Sequence, residues 1–194
     1  MRRILIIVFL SALYGCVGSN TEYPKNWAAL TYPSDKTCPN ISGKYRAISE
    51  PLHYYKGQCN NIGIGWYCRS LPEDLINIKS TITEDSWVKI SNTNDTELII
   101  VTGISNVTEQ EITLRSKDKQ FECNDEGITI KIASDFMADS TGFGVNTGIE
   151  KTFIKSEDGA LIMKETSAGG GLAFYTVPVA GSSTQWWRWH PSNY

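Results

Sequence analysis

Histidine is the side chain most often used to move protons near neutral pH, and the chain carries two, His53 and His190. Each lies close to a proline, Pro51 and Pro191, in a stretch that reads as loop. No G-x-S-x-G elbow accompanies them, so neither has a recognisable serine nucleophile to serve. No H-E-x-x-H is present, which excludes the zincin pattern. The run Gly142-Phe143-Gly144-Val145-Asn146-Thr147-Gly148 sets its third glycine one position late for a dinucleotide fingerprint, and no helical period follows. Gly169-Gly170-Gly171 is not followed by Lys-Ser/Thr, so it is not a phosphate-cradling loop. Asn92-Thr93-Asn94-Asp95-Thr96-Glu97 is rich in oxygen ligands, but lacks the glycine and distal glutamate of a calcium loop and reads as a hairpin turn. Asp135 and Asp139 stand four apart without a glycosidase-like setting. With no convergent acid, base, nucleophile or metal set, the expectation is a non-enzymatic protein with no cofactor and no metal.

One cluster has binding chemistry. Trp186, Trp187, Arg188 and Trp189 end the chain's last strand-like run. In a strand, Trp187 and Trp189 share one face while Trp186 and Arg188 share the other. One pair must be core. The other is either an aromatic platform for glycan, lipid or protein, or a surface stack of Arg188 on a neighbouring ring.

The elements that would position these residues begin with an export segment. Met1-Arg2-Arg3 is a basic start, and Ile4 to Leu13 is apolar apart from Ser11. Ten helical residues cover about 15 Å, half of a roughly 30 Å hydrocarbon core, which fits a signal-peptide core and not a spanning helix. Leu13-Tyr14-Gly15-Cys16 then resembles a bacterial lipobox. The resemblance implies that Cys16 is diacylglycerylated and becomes the acylated N-terminus after residues 1–15 are removed. Two or three acyl chains, at about 0.8 kcal/mol per buried methylene, hold where one would leave. By the same resemblance, Val17 after the cysteine implies outer-membrane sorting, facing the periplasm, if the host is Gram-negative.

The cysteines agree with that address. Of five, Cys16 would carry lipid, leaving Cys38, Cys59, Cys68 and Cys123, an even set for an oxidising envelope. Four cysteines allow three pairings; the favoured one is Cys59–Cys68 with Cys38–Cys123, because glycines at 57, 63 and 65 let the short loop reverse. The same four cysteines contain no C-x2-C pair, which argues against zinc.

The 194 residues are 41% hydrophobic and 20% charged, with mean hydropathy −0.25, a globular composition. The net charge of −3 becomes −5 once Arg2 and Arg3 leave with residues 1–15. That balance, without a basic run, argues against nucleic acid as a partner. Residues 16–37 carry glycine, serine and proline with no apolar period and read as the lipidated N-terminus and a tether, anchored by aromatics such as Trp27. A single β domain is expected over 38–194. Its strands are expected near residues 42–48, 87–90, 97–101, 111–115, 128–132, 151–154, 161–164, 172–177 and 185–189, where the period is two. The expected fold class is all-β, an antiparallel meander of about eight short strands forming a barrel or sandwich. One short helix is expected after Ser70, with Pro72 in its first turn beside Glu73 and Asp74.

Cys38-Pro39-Asn40-Ile41-Ser42-Gly43-Lys44-Tyr45 resembles the C-P-x-[IL]-S-G-x-Y opening of small uncharacterised bacterial lipoproteins. Phe121-Glu122-Cys123 and the closing Trp186-Trp187-Arg188-Trp189 match their later F-x-C and aromatic-basic patterns. The resemblance implies a fold family with no assigned activity. Gly43-x-Tyr45 also resembles the start of lipocalin-like barrels over two residues. The functional expectation is a membrane-anchored envelope lipoprotein with a non-enzymatic β-rich binding or structural domain, whose partner is a protein, a glycan or an apolar ligand. Its alternatives are a lipocalin-like carrier and a periplasmic inhibitor of a host hydrolase.

Overall fold

A computed structural model describes residues 21–33, 37–50, 68–77, 82–138, 144–173 and 177–193. The fold is all-β, with nine strands in two antiparallel sheets and one short α-helix among the described residues. In chain order the elements are β1 (Gly43–Arg46), α1 (Leu71–Ile76), β2 (Ser86–Asn94), β3 (Glu97–Ile104), β4 (Val107–Arg115), β5 (Glu122–Asn124), β6 (Gly127–Ala138), β7 (Gly144–Lys155), β8 (Leu161–Ala173) and β9 (Val177–Trp189). The first sheet has the order β1-β2-β3-β4 and the second β5-β6-β7-β8-β9. Among the described residues neither sheet closes into a barrel. The last four strands are longer than the short segments expected, at 12 to 13 residues each.

The residues fall into two compact units. The larger holds Tyr23–Lys131, Glu150–Glu165 and Trp186–Tyr194. It contains the whole first sheet, and its apolar cluster draws on both sheets: Tyr45, Val88, Ile90, Leu98, Ile100 and Leu114 from the first, Ile128, Phe153, Leu161, Met163, Trp187 and Trp189 from the second. Alternation explains most of this. In β3, Leu98 and Ile100 are buried while Ile99 and Val101 are only part-buried. The smaller unit takes the described residues within 132–149 and 166–185, the distal parts of β6 to β9. Its described side chains include Thr166, Ser167, Ala168, Ser182, Ser183 and Thr184, and none is buried. Ser167 and Ser183 meet there through their hydroxyls at 2.7 Å.

The opening motif has a structural reason. Cys38 is bonded to Cys123 on β5, Ile41 is fully buried, and the Tyr45 hydroxyl donates to the Ile41 carbonyl at 2.8 Å. A Cβ on Gly43 would lie 2.6 Å from that same hydroxyl, so only glycine leaves the ring its place. Burial of Tyr45 pushes its phenol well above its ordinary value. Gly103 plays the same part on β3, where the register against β4 slips between Thr102 and Gly103: a Cβ there would come within 2.8 Å of Trp87 Cε2.

Helix α1 follows its sequence signals. Ser70 caps it, its hydroxyl accepting from the Glu73 amide at 3.3 Å, Pro72 occupies the first turn, and Asn77 ends it in a left-handed conformation.

The one-sided alternation fails on β6, where Gly127 to Ile130 are all buried, and again on β7 and β8. Ala160, Leu161, Ile162 and Met163 are all fully buried, and so are Phe153 and Ile154 on β7. The second face is covered by residues read from the sequence as tether: Tyr23, Trp27 and Leu30 pack with Trp186 against Ile154, Ala160 and Ile162. Backbone bonds fix them, Thr31 N–H to the Lys155 carbonyl at 2.8 Å and Glu157 N–H to the Ala29 carbonyl at 2.9 Å.

Candidate functional site

The terminal aromatic run separates as strand geometry requires. Trp187 and Trp189 enter the main apolar cluster, at 2% and 0% exposure. Trp186 and Arg188 face the other way. Arg188 lies 5.6 Å over the Trp27 ring, pairs with Asp158, and sets its Nη1 3.4 Å from Glu50. His190 contacts the same Glu50 carboxylate through Nε2. The Ser156 hydroxyl holds the Asp158 carboxyl below the usual carboxylate range. Burial opposes that, while the Ala160 amide and Arg188 add to it.

Trp186 belongs to a groove of about 790 Å³, within the range of ligand sites. The N-terminal segment supplies one wall with Tyr23, Leu30 and Tyr32. The β5–β6 turn supplies Asp125 and Glu126. There the Asn124 side-chain oxygen accepts from the amides of Glu126 and Gly127, at 3.0 and 2.9 Å, which fixes the turn. The floor comes from Thr152 and Ile154 on β7, Lys164 on β8 and Trp186 on β9. Tyr23 meets Trp186 edge-on at 5.1 Å, and its hydroxyl donates to the Ala28 carbonyl at 2.6 Å. Burial raises the Tyr23 phenol; Arg188 pulls it down and Asp158 pushes it up again. Lys164 Nζ lies 2.9 Å from Glu126 Oε2 and 5.9 Å from the centre of the Trp186 ring. Tyr32, at 56% exposure, leaves an aromatic ring in water at this groove.

A second constellation is buried. The Asp74 side chain, 1% exposed, accepts from Arg69 Nε at 3.1 Å and from Lys151 Nζ at 2.8 Å, and Arg69 reaches on to Glu165 at 3.0 Å. Burial alone lowers the Arg69 pKa; the hydrogen bond and charge of Asp74, with Glu165 and Glu73 behind them, outweigh it and leave it raised. Two cations and two carboxylates balance, so this cluster ties α1 to β7 and β8.

The remaining sequence candidates are scattered. Cys38 and Cys123 form the expected disulfide. Cys68 is buried and disulfide-bonded, with its partner outside the described residues, where Cys59 also lies. Cys16, His53 and Asp139 lie outside the described residues too. Gly144 to Gly148 open β7, so strand and not helix follows the glycines of residues 142–148. Asn92 is held by its partners, its amide donating to the Ser42 hydroxyl and its side chain to the Pro39 carbonyl. Among the described residues no three His, Cys, Asp or Glu side chains converge as metal ligands, and no helix is long and apolar enough to cross a membrane. Sequence reasoning missed Tyr23, Tyr32, Asp125, Glu126 and Lys164 as one surface, because three segments far apart in the chain bring them together. For Tyr23 and Tyr32 the local signal was the aromatic content of residues 23–32, read there as anchoring a tether.

In comparisons with known proteins, the chain matches no family, no curated protein and no solved structure.

Proposed function

We propose that this chain is a lipid-anchored envelope lipoprotein whose β domain is a non-enzymatic binding module, with the groove at Trp186 as its ligand surface. The groove carries the reading. It combines apolar rings, which supply contact area at low entropic loss, with two carboxylates and an ammonium that would orient a polar ligand. The lipobox-like residues 13–16 support the anchor at Cys16, which would keep the module at the membrane.

The anchor is tested by labelled palmitate. The full chain should incorporate it and fractionate with membranes, and Cys16→Ser should lose both. Labelling of the serine variant would overturn the anchored reading. The cell-envelope address is tested by the same fractionation, since a chain retained in the cytosol contradicts it.

A further inference from the structure

We propose that the groove recognises a positively charged nitrogen, and that its ligand presents an ammonium group. This rests on the groove being a ligand surface and goes on to name the chemistry it takes. Three observations converge. First, the groove already holds a cation of the chain's own: Lys164 Nζ sits over the Trp186 ring at 5.9 Å and on Glu126 at 2.9 Å. An ammonium over the indole face and against a carboxylate is the geometry a ligand cation would adopt. Lys164 and Glu126 are both solvent-accessible, with side chains 32% and 61% exposed, so the resident pair can be exchanged at little cost. Second, the lining charge is negative. Asp125 and Glu126 face one lysine, and Asp125 has no ion-pair partner among the described residues. A bound cation would complete that balance. Third, the groove is aromatic: Tyr23 packs edge-on against Trp186, and Tyr32 adds an exposed ring to the lining, so a cation bound there has π-systems in the lining as well as carboxylates.

Choline is a suitable probe, with 3,3-dimethyl-1-butanol as its uncharged isostere. Titration of the full chain in detergent, followed by tryptophan fluorescence and by calorimetry, should show saturable choline binding. The isostere should bind at least about tenfold more weakly. Lys164→Met removes the competing cation and frees Glu126, so choline affinity should rise about threefold or more. Glu126→Gln and Asp125→Asn should each lower it by a similar factor, and raised salt should weaken it. Trp186→Phe replaces the indole by a smaller, weaker cation-binding ring and should reduce affinity, and circular dichroism identifies any variant that fails to fold. Equal binding of the two probes, or weaker choline binding in Lys164→Met, overturns the cation assignment while leaving a binding groove. No saturable binding of choline overturns it as well. Neither result touches the anchor, which the palmitate experiment decides separately.

Discussion

The two units of this molecule share four strands and differ in how their described side chains pack. In the larger, β7 contributes Phe153 and Ile154 and β8 contributes Leu161, Ile162 and Met163, all buried on one face or the other. In the smaller, the same strands carry Gly148, Thr166, Ser167 and Ala168, none of them buried. Backbone ladders run through both. A ladder hydrogen bond contributes only about 1 kcal/mol net, because water offers the unfolded chain the same partners. Burial of a Leu, Ile or Phe side chain contributes about 1.5–3 kcal/mol. Stability should therefore reside in the larger unit, and hydrogen exchange should show it within single strands. Amides of β7 from residue 150 onward should be protected more than those of residues 144–149. Uniform protection along β7 would break the contrast.

The largest mutational effect is expected at Asp74. Asp74→Asn keeps the shape but leaves Arg69 and Lys151 facing each other without the carboxylate between them. Removing one partner of a buried ion pair costs about 3–5 kcal/mol, and urea unfolding should register a loss of that size. A loss under about 1 kcal/mol would mean that Glu165 or water takes over the two cations. Next comes the disulfide. Cys38 and Cys123 are 85 residues apart, and a loop of that length is worth about 4–5 kcal/mol in the chain-entropy model, while measured losses run from about 2 to 5. Cys38→Ser should fall in that range and should exceed Cys59→Ser. Non-reducing peptide mapping should join Cys68 to Cys59.

How much of this was legible depends on what a local pattern can carry. The alternation at 97–101, 111–115 and 128–132 lies within β3, β4 and β6. In β3 it follows burial, because a strand with one wet face writes its orientation into every second residue, whereas in β6 the polar Thr129 is buried too. The helix was legible from Ser70 and Pro72, since caps are local chemistry. Asp74 was legible only as a first-turn acid. Its burial depends on Lys151 and Glu165, far along the chain, and no spacing rule announces such a meeting. The double-sided burial of residues 160–163 was hidden for a related reason. The covering segment, residues 23–31, is largely irregular, so it has no period to read, and its glycine- and proline-bearing surroundings resemble a tether. The groove inherits both problems. Its wall is that irregular segment and its carboxylates sit on a turn, so only the folded chain places Tyr23, Glu126 and Lys164 together.

A smaller effect is expected at Asp158, on the rim of the covered face of β7 and β8. Its folded pKa is lowered by the Ser156 hydroxyl, the Ala160 amide and Arg188. A carboxyl whose pKa is lowered on folding stabilises the fold above its unfolded value, near 3.9 on average. That contribution is lost as pH falls from there through the lower folded value. The side chain is 39% exposed, so solvent screens the pair and Asp158→Asn should cost about 0.2–1 kcal/mol near pH 7. The gap between variant and parent should close in melts below about pH 4. A gap that persists undiminished in acid would assign the effect to turn geometry and not to charge.

The smallest effect should come from the smaller unit, and it is the sharpest test of the contrast. Ser167 and Ser183 face each other at 2.7 Å on β8 and β9, a well-formed hydroxyl pair. Neither side chain is buried, so in Ser167→Ala water can satisfy Ser183, and the desolvation penalty that makes a lost buried bond expensive does not arise. Alanine also fills nearly the same volume and leaves no cavity to collapse. The change should stay within about 0.5 kcal/mol, the ordinary range for substitutions away from a core. The same hydroxyl chemistry in the larger unit provides the control. Ser70→Ala removes the α1 cap and should cost about 1 kcal/mol, because Ser70 is 3% exposed and water is a poor substitute for its hydroxyl there. If Ser167→Ala proved the costlier of the two, packing density would not be what separates the units, and the distal strands would owe their order to hydrogen bonds across the sheet.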